Sequence, residues 1–342
     1  NFNGYVVWFL STVLGINIGA YRALQVTSSI FSAMGAVALI DLGIFWSLRL
    51  RYAILFSLPI IFSNAFMRYG TSAYPDASAM GLGLVAINLL CRAVARQKDT
   101  NRINILPKPL YLSGLIAGLS VLEHIAFGLV IPGFILGIIV GLHQLKKSFK
   151  DIKMACFIYV SGAVTSFMLG YGFFFLLFKK IPKYTTNVES NLLGNLNGCK
   201  ELWVPNLPEF LKAMKTFGAL FIPGFHSSIQ ILDFIYDLPR LVAIVIVGWL
   251  LINAWRTGKN KLEVSCWIIP MLLSILTAFF TMLFLNNWLC RQYASISLVA
   301  FGPLFLVLGI LTLGNKSFLY RFSFIIMSGA FLFYMIFGIE GL

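Results

Sequence analysis

Long apolar runs recur along the whole chain, and they constrain its fold more than any other feature of the sequence. A helix needs about 20 mainly apolar residues to cross the ~30 Å hydrocarbon core of a bilayer. Lipid offers no hydrogen bonds to an exposed backbone, so such runs form helices. The sequence therefore predicts an all-α, polytopic transmembrane protein with about 11 spanning helices, which we place at residues 4–21, 30–47, 53–67, 77–94, 110–125, 128–144, 154–178, 238–255, 264–285, 293–313 and 322–338.

The composition agrees with a chain that is surrounded by lipid. Of its 342 residues, 59% are hydrophobic and 11% are charged, whereas a soluble domain carries about 25% charged residues. We therefore predict a single transmembrane domain over residues 1–342, in contact with membrane lipids. A bacterial inner or plasma membrane is favoured over the endoplasmic reticulum.

The positions of the basic residues predict an orientation. A net charge of +14 would suggest nucleic acid in a soluble domain, but here the charges alternate between loops, so no nucleic-acid partner is expected. The short outer loops hold only Arg22, Arg68 and Arg291. By the positive-inside rule, the cytoplasmic side receives Arg49, Arg51, Arg92, Arg96, Lys98, Arg102, Lys108, Lys146, Lys147, Lys150, Lys153, Arg256, Lys259, Lys261, Lys316 and Arg321.

One long outer segment, residues 179–237, interrupts the series of spans. Residues 216–235 within it are apolar enough to suggest another crossing, but that crossing would place every later basic loop on the wrong side. Pro223, Gly224 and Asp233 also break the run. We therefore predict an extracytoplasmic loop that contains an interfacial helix lying on the outer leaflet.

Ionisable and aromatic residues gather in three predicted outer connections. A charged group near hydrocarbon costs roughly 2.5 to 3.5 kcal/mol on insertion scales, so each one is a functional candidate. Cations and aromatic rings converging on one rim could bind an anionic or sugar-bearing substrate. The candidates are Arg68, Tyr74 and Asp76 before the fourth span, Glu123 and His124 at the tip of a helical hairpin, and Trp288, Arg291 and Tyr293 beside the tenth span.

Each candidate also has a structural alternative. Asp76 follows Pro75 at a predicted helix start, where a carboxylate caps the helix and complements its dipole. Glu123 could belong to a solvated hairpin tip. Arg68 and Arg291 could be anchors that reach lipid phosphates.

Two further features inside the spans favour a structural interpretation. Asp41 lies within the second span, where it would pair with a neighbouring helix or lie near the inner rim beside Arg49. Gly114 and Gly118 have the spacing of closely packed membrane helices.

The middle of the chain resembles the GT-C superfamily, membrane glycosyltransferases of the dolichyl-phosphate-mannose mannosyltransferase kind that use polyprenyl-phosphate-linked sugars. The resemblance rests on RYGTSAYPDAS, which ends an aromatic outer loop with an acid that opens a helix. It also rests on the hairpin spacing of Gly114, Gly118, His124 and Pro132. NNWLCRQYASISLVAFGP resembles the family's later arginine–tyrosine pair.

The resemblance implies sugar transfer from a polyprenyl-phosphate donor to a glycan, lipid or protein acceptor at the extracytoplasmic face. Asp76 and Glu123 would be the catalytic carboxylates, and Arg68, His124 and Arg291 would bind the donor phosphate. Tyr74, Trp288 and Tyr293 would contact the sugar or the acceptor. No organic cofactor is expected, and the need for a divalent metal is left open.

Three departures from the family pattern accompany this resemblance, and the first is that the proline after Arg291 comes later than usual, at Pro303. His124 stands where the family has lysine or arginine, so its charge would depend on a carboxylate such as Glu123. The family's first-loop acid has no counterpart in the sequence. Because the chain begins at Asn1, close to an apolar run, we expect this acid upstream in the natural protein.

Three alternatives to a glycosyltransferase stay open. A transporter or flippase would also need many helices, but no internal repeat is visible and the candidate residues gather at one rim. A polymerase or ligase of lipid-linked glycans would favour arginines in its large loop, and this loop is lysine-rich. A non-catalytic scaffold is the third alternative.

Overall fold

The computed structural model describes residues 12–15, 20–61, 75–98 and 107–178, together with isolated positions between 302 and 313. Over these residues the chain is helical and has no strand. Turns of 3-10 helix follow α3 at Arg96–Lys98 and α4 at Ile125–Val130. The α-helices are α1 (Ala20–Phe45), α2 (Leu50–Ile61), α3 (Pro75–Ala95), α4 (Pro107–Glu123), α5 (Ile131–Gln144) and α6 (Phe149–Phe178).

Three of these helices are long and apolar enough to cross a membrane. The apolar stretches are Tyr21–Phe45, Ser78–Ala95 and Phe149–Gly170, and α5 is a shorter apolar helix. The all-α prediction is therefore confirmed over the described residues. The predicted spans 238–255, 264–285 and 322–338 and the loop 179–237 lie outside them.

The prediction of an outer loop around Arg22 is wrong, because α1 begins at Ala20 rather than near residue 30. Polar residues between positions 25 and 29 lower the local hydropathy but do not end the helix. The hydroxyl of Thr27 donates to the carbonyl oxygens of Ala23 and Leu24 at 2.9 and 3.0 Å. Its polar group is thus satisfied inside the helix.

Helix α3 packs in parallel with α1. The hydroxyl of Ser78 donates to that of Ser28 at 3.4 Å, and the amide of Asn88 donates to the carbonyl of Ala38 at 2.9 Å. Both pairs differ by 50 residues in sequence, so the two helices rise together. Gly35 lies against Gly81, where the two backbones approach closely, as small residues permit in membrane helix pairs.

Helix α4 packs against α3 in the opposite direction. The hydroxyl of Ser113 donates to the carbonyl of Ala86 at 2.7 Å, and that of Ser120 donates to the carbonyl of Ala79 at 2.8 Å. A step forward along α4 thus matches an equal step backward along α3. Hydrogen bonds from serine to a neighbouring helix are a common feature of helix packing in lipid.

Helix α6 packs in parallel with α4 through small residues, as the spacing of Gly114 and Gly118 predicts. A Cβ on Gly114 would collide with the backbone of Tyr159, and one on Gly118 would collide with that of Ala163. The hydroxyl of Ser166 donates to the carbonyl of Leu115. Close backbone contact therefore fixes this helix pair.

These directions bring several basic connections to one end of the bundle. The turns after α1 and α5, the end of α3 and the start of α4 all lie there, because α1 and α3 are parallel and α4 runs back. We name this the basic end; its described basic residues are Arg49, Arg51, Arg92, Arg96, Lys98, Lys108, Lys146, Lys147, Lys150 and Lys153. The start of α3 and the end of α4 form the opposite end, which we name the carboxylate end after Asp76 and Glu123.

Candidate functional site

Glu123 is the last residue of α4, at the carboxylate end, and it is buried. Its exposed fraction is 3%, so the alternative of a solvated hairpin tip does not fit the structure. Burying a carboxylate in an apolar bundle is costly unless it is paired or hydrogen-bonded. Glu123 is therefore a buried group of the bundle and not a solvated surface charge.

His124 marks the point where α4 ends and the chain turns. Its backbone is extended, with φ −143° and ψ 115°. Its N–H still donates to the carbonyl of Ser120 at 2.9 Å, and its own carbonyl accepts from the N–H of Phe127 at 2.9 Å. The half-buried imidazole is thus held on a backbone that is bonded on both sides, directly after Glu123.

Asp76 lies in the first turn of α3, as predicted, and the packing of α3 on α4 sets its level. Ser113 of α4 bonds to Ala86 of α3, and Ser120 of α4 bonds to Ala79 of α3. A later residue of α4 thus lies beside a correspondingly earlier residue of α3. Three further residues on each helix bring position 76 level with position 123. The backbone thus places Asp76 and Glu123 at one height on adjacent helices.

The remaining candidates lie outside the described residues. They are Arg68, Tyr74, Trp288, Arg291 and Tyr293. The structure therefore places the backbones of Asp76, Glu123 and His124 at the same end of the bundle. The contribution of the rest of the connection before α3, and of the connection beside the tenth span, stays a prediction.

A second polar cluster joins α1 to α3 near the basic end. The guanidinium of Arg92 donates to Asp41 Oδ2 at 2.6 Å, and the amide of Asn88 donates to the same oxygen at 2.9 Å. Arg92 Nε also donates to Asn88 Oδ1 at 2.8 Å, and its guanidinium carbon lies 4.6 Å from the centre of the Phe45 ring. Asp41 is thus paired with a neighbouring helix, one of the two alternatives considered for it.

Asn88 is the member of this cluster that sequence reasoning missed. It lies four residues before Arg92 on the face of α3 that meets α1, so one side chain bonds to both charges. An asparagine inside an apolar run, one helical turn before an arginine, is a signal that could have identified it.

The described residues include no group of three or more histidine, cysteine, aspartate or glutamate side chains suited to hold a metal ion. The side chain of Asp76 is not among those described. At the carboxylate end the described side chains include the buried carboxylate of Glu123 and, next to it in sequence, the imidazole of His124. Such groups can orient a hydroxyl nucleophile, accept its proton or stabilise a nearby charge.

Comparison of the sequence with known protein families and with curated proteins gives no match.

Proposed function

We propose that this chain is a membrane glycosyltransferase that moves a sugar from a polyprenyl-phosphate donor to a glycan, lipid or protein acceptor at the extracytoplasmic face. The observation that best supports this proposal is that the backbones of Asp76 and Glu123 lie at the same height on the adjacent helices α3 and α4. The two carboxylates and His124 share one end of the α3–α4 pair, opposite the basic end. The positive-inside rule assigns the basic end to the cytoplasm.

The chemistry of sugar transfer suits these residue types. The acceptor hydroxyl must lose a proton as it attacks, and a carboxylate at its side can accept or direct that proton. The departing polyprenyl phosphate gains negative charge, which a protonated imidazole or an arginine can stabilise. In this proposal Asp76 and Glu123 act on the acceptor, and His124, Arg68 and Arg291 act on the phosphate. Tyr74, Trp288 and Tyr293 supply sugar contacts.

The distribution of polar groups along the bundle also favours sugar transfer over transport. A transporter commonly places its binding groups near the middle of the bilayer, on interrupted helices. Between α3 and α4 the described polar contacts include serine bonds to backbone carbonyls, as for Ser113 on Ala86, and the charged pair of Asp41 and Arg92 lies towards the basic end. These bonds stabilise packing and leave the candidate groups at one end.

Transfer of radiolabelled sugar from a panel of polyprenyl-phosphate sugars tests the proposal. Membranes containing the full-length protein are compared with Asp76→Asn and Glu123→Gln variants at equal protein level. Loss of a general base or of its positioning group typically costs about 100-fold or more in rate. We therefore expect at least one of the two variants to lose nearly all transfer.

Two control variants separate the site from general damage. Asp151→Asn removes a carboxylate at the basic end and is expected to leave transfer unchanged. His124→Lys introduces the cation that the resemblance predicts, and we expect it to retain more transfer than His124→Ala. Donor that is never consumed, or normal transfer by both carboxylate variants, would refute the proposal.

A further inference from the structure

A cluster of lysines surrounds the start of α6 at the basic end, and it has no role in the proposed transfer. Lys146 and Lys147 lie in the turn before the helix, and Lys150 and Lys153 lie in its first two turns. Lys146, Lys150 and Lys153 are exposed. Four cations within eight residues repel one another unless an anion neutralises them.

The carboxylate within this cluster already has partners. Asp151 Oδ2 accepts from the backbone N–H of Ser148 at 3.3 Å, and the Ser148 hydroxyl accepts from the N–H of Asp151 at 3.3 Å. This reciprocal cap fixes the start of α6. Over the described residues, the ammonium groups of Lys146 and Lys150 make no hydrogen bond or ion pair, so the cluster keeps a net positive charge.

An exposed apolar track continues from the lysines along the same helix. Phe149 is 70% exposed and holds the Lys153 ammonium 4.6 Å from its ring centre. Beyond it, Phe157, Val160, Val164 and Met168 are exposed at spacings of three and four residues. Side chains at these spacings share one face of a helix. The lysines at the start of α6 are thus followed by an exposed apolar face of the helix, which is about as long as an acyl chain.

We propose that this face of α6 binds an anionic phospholipid of the leaflet at the basic end. The lipid phosphate contacts Lys150 and Lys153, with Lys146 beside it, and one acyl chain lies along Phe157, Val160 and Val164. Charge complementarity selects this occupant. A zwitterionic lipid brings its own cation to the lysines, and a soluble anion cannot use the apolar track.

Lipid retention by the purified full-length protein tests this site. Native mass spectrometry counts bound phosphatidylglycerol and phosphatidylcholine of identical chain length, offered as an equal mixture. A basic side chain at a membrane surface contributes about fivefold to binding of an anionic headgroup. We expect wild-type protein to prefer phosphatidylglycerol by about 25-fold, the product of two such contributions, and the Lys150→Gln/Lys153→Gln variant to lose nearly all of that preference.

Matched controls make the result specific to the cluster. Lys108→Gln removes an exposed lysine at the same end, at the start of α4, and is expected to keep the preference. Phosphatidylcholine retained by the same sample controls for loss of folding, because unfolding lowers both lipids together. Excess inorganic phosphate is expected to displace little lipid.

Three outcomes would overturn the proposal. Equal retention of both lipids by the wild type would remove the selectivity. An unchanged preference in the double variant would place the lipid elsewhere. An equal loss on Lys108→Gln would assign the effect to the total charge of the basic end and not to this face.

Discussion

At the scale of single residues, the paired charges Asp41 and Arg92 join α1 to α3. Arg92 bonds to a carboxylate oxygen at 2.6 Å, and the two side chains are 26% and 49% exposed, for Arg92 and Asp41 respectively. A charge near lipid that loses its partner is left poorly satisfied. We expect Arg92→Gln and Asp41→Asn each to lower the free energy of unfolding by about 1 to 2 kcal/mol, measured by denaturation in detergent micelles.

A double-mutant cycle checks whether the pair acts as a unit. The Asp41→Asn/Arg92→Gln protein retains neutral hydrogen-bonding groups at both positions, so its loss should be smaller than the sum of the single losses. Arg49→Gln is the control, because Arg49 is exposed at the same end and, among described residues, its side chain makes no ion pair. Strict additivity of the two single losses would contradict the assigned coupling.

From the sequence, pairing with a neighbouring helix is one of two interpretations of Asp41, and the partner residue cannot be identified. An unpaired carboxylate inside an apolar run is costly, so the need for a partner can be read locally. Arg92 was assigned to a cytoplasmic loop, and its contact with Asp41 depends on the 50-residue register between α1 and α3. That register depends on how glycines 35 and 81 let two backbones approach, which apolar periodicity does not encode. The burial of Glu123 likewise results from neighbouring helices.

At the scale of elements, the close contact of α4 with α6 depends on residues without a side chain. A Cβ at position 118 would lie 3.0 Å from Ala163 Cα and 2.8 Å from Ser166 Cβ. Neither neighbour can move without moving backbone. We therefore expect Gly118→Ala to separate the helices and to destabilise the protein by about 1 to 3 kcal/mol, the usual cost of overfilling a packed site.

Gly172→Ala is the matched control for this helix pair. Nothing lies within 4 Å of a Cβ built on Gly172, and alanine favours a helix over glycine by about 1 kcal/mol. The same substitution should therefore be neutral or slightly stabilising there. Thermal unfolding of both variants, followed by the fluorescence of a thiol-reactive dye, compares them directly. A Gly118→Ala protein as stable as the wild type would contradict close packing.

Helix positions were easier to predict than helix ends. The fourth, fifth and seventh predicted spans correspond to α3, α4 and α6, because their apolar runs are continuous. The start of α1 was missed because Gln25, Thr27 and Ser28 lower the hydropathy without breaking the helix. Hydropathy records the cost of burial in lipid, whereas α1 covers several of these polar groups with its own backbone or with α3.

At the scale of the whole molecule, the helix directions determine at which end of the bundle each basic connection lies, and this arrangement can be tested. Contacts along α1–α3, α3–α4 and α4–α6 give parallel, antiparallel and parallel pairs. They therefore place the turn after α1 and the end of α5 at one end, and the start of α1 at the other. The sequence predicted this alternation from its basic residues, and the described contacts provide independent support for it.

Cysteine labelling in intact cells tests the arrangement and the orientation together. In a variant lacking the natural cysteines, single cysteines replace Ser47, Gln144 or Arg22, all of which are exposed. Because the first two lie at the basic end, we expect a membrane-impermeant maleimide to label them only after the membrane is permeabilised. Arg22→Cys should be labelled in intact cells. If Ser47→Cys and Gln144→Cys were labelled from different sides, the helix directions would be wrong. If all three showed the reverse pattern, the helix directions would be supported, but the carboxylate end would face the cytoplasm. Sugar transfer at the outer face would then be ruled out.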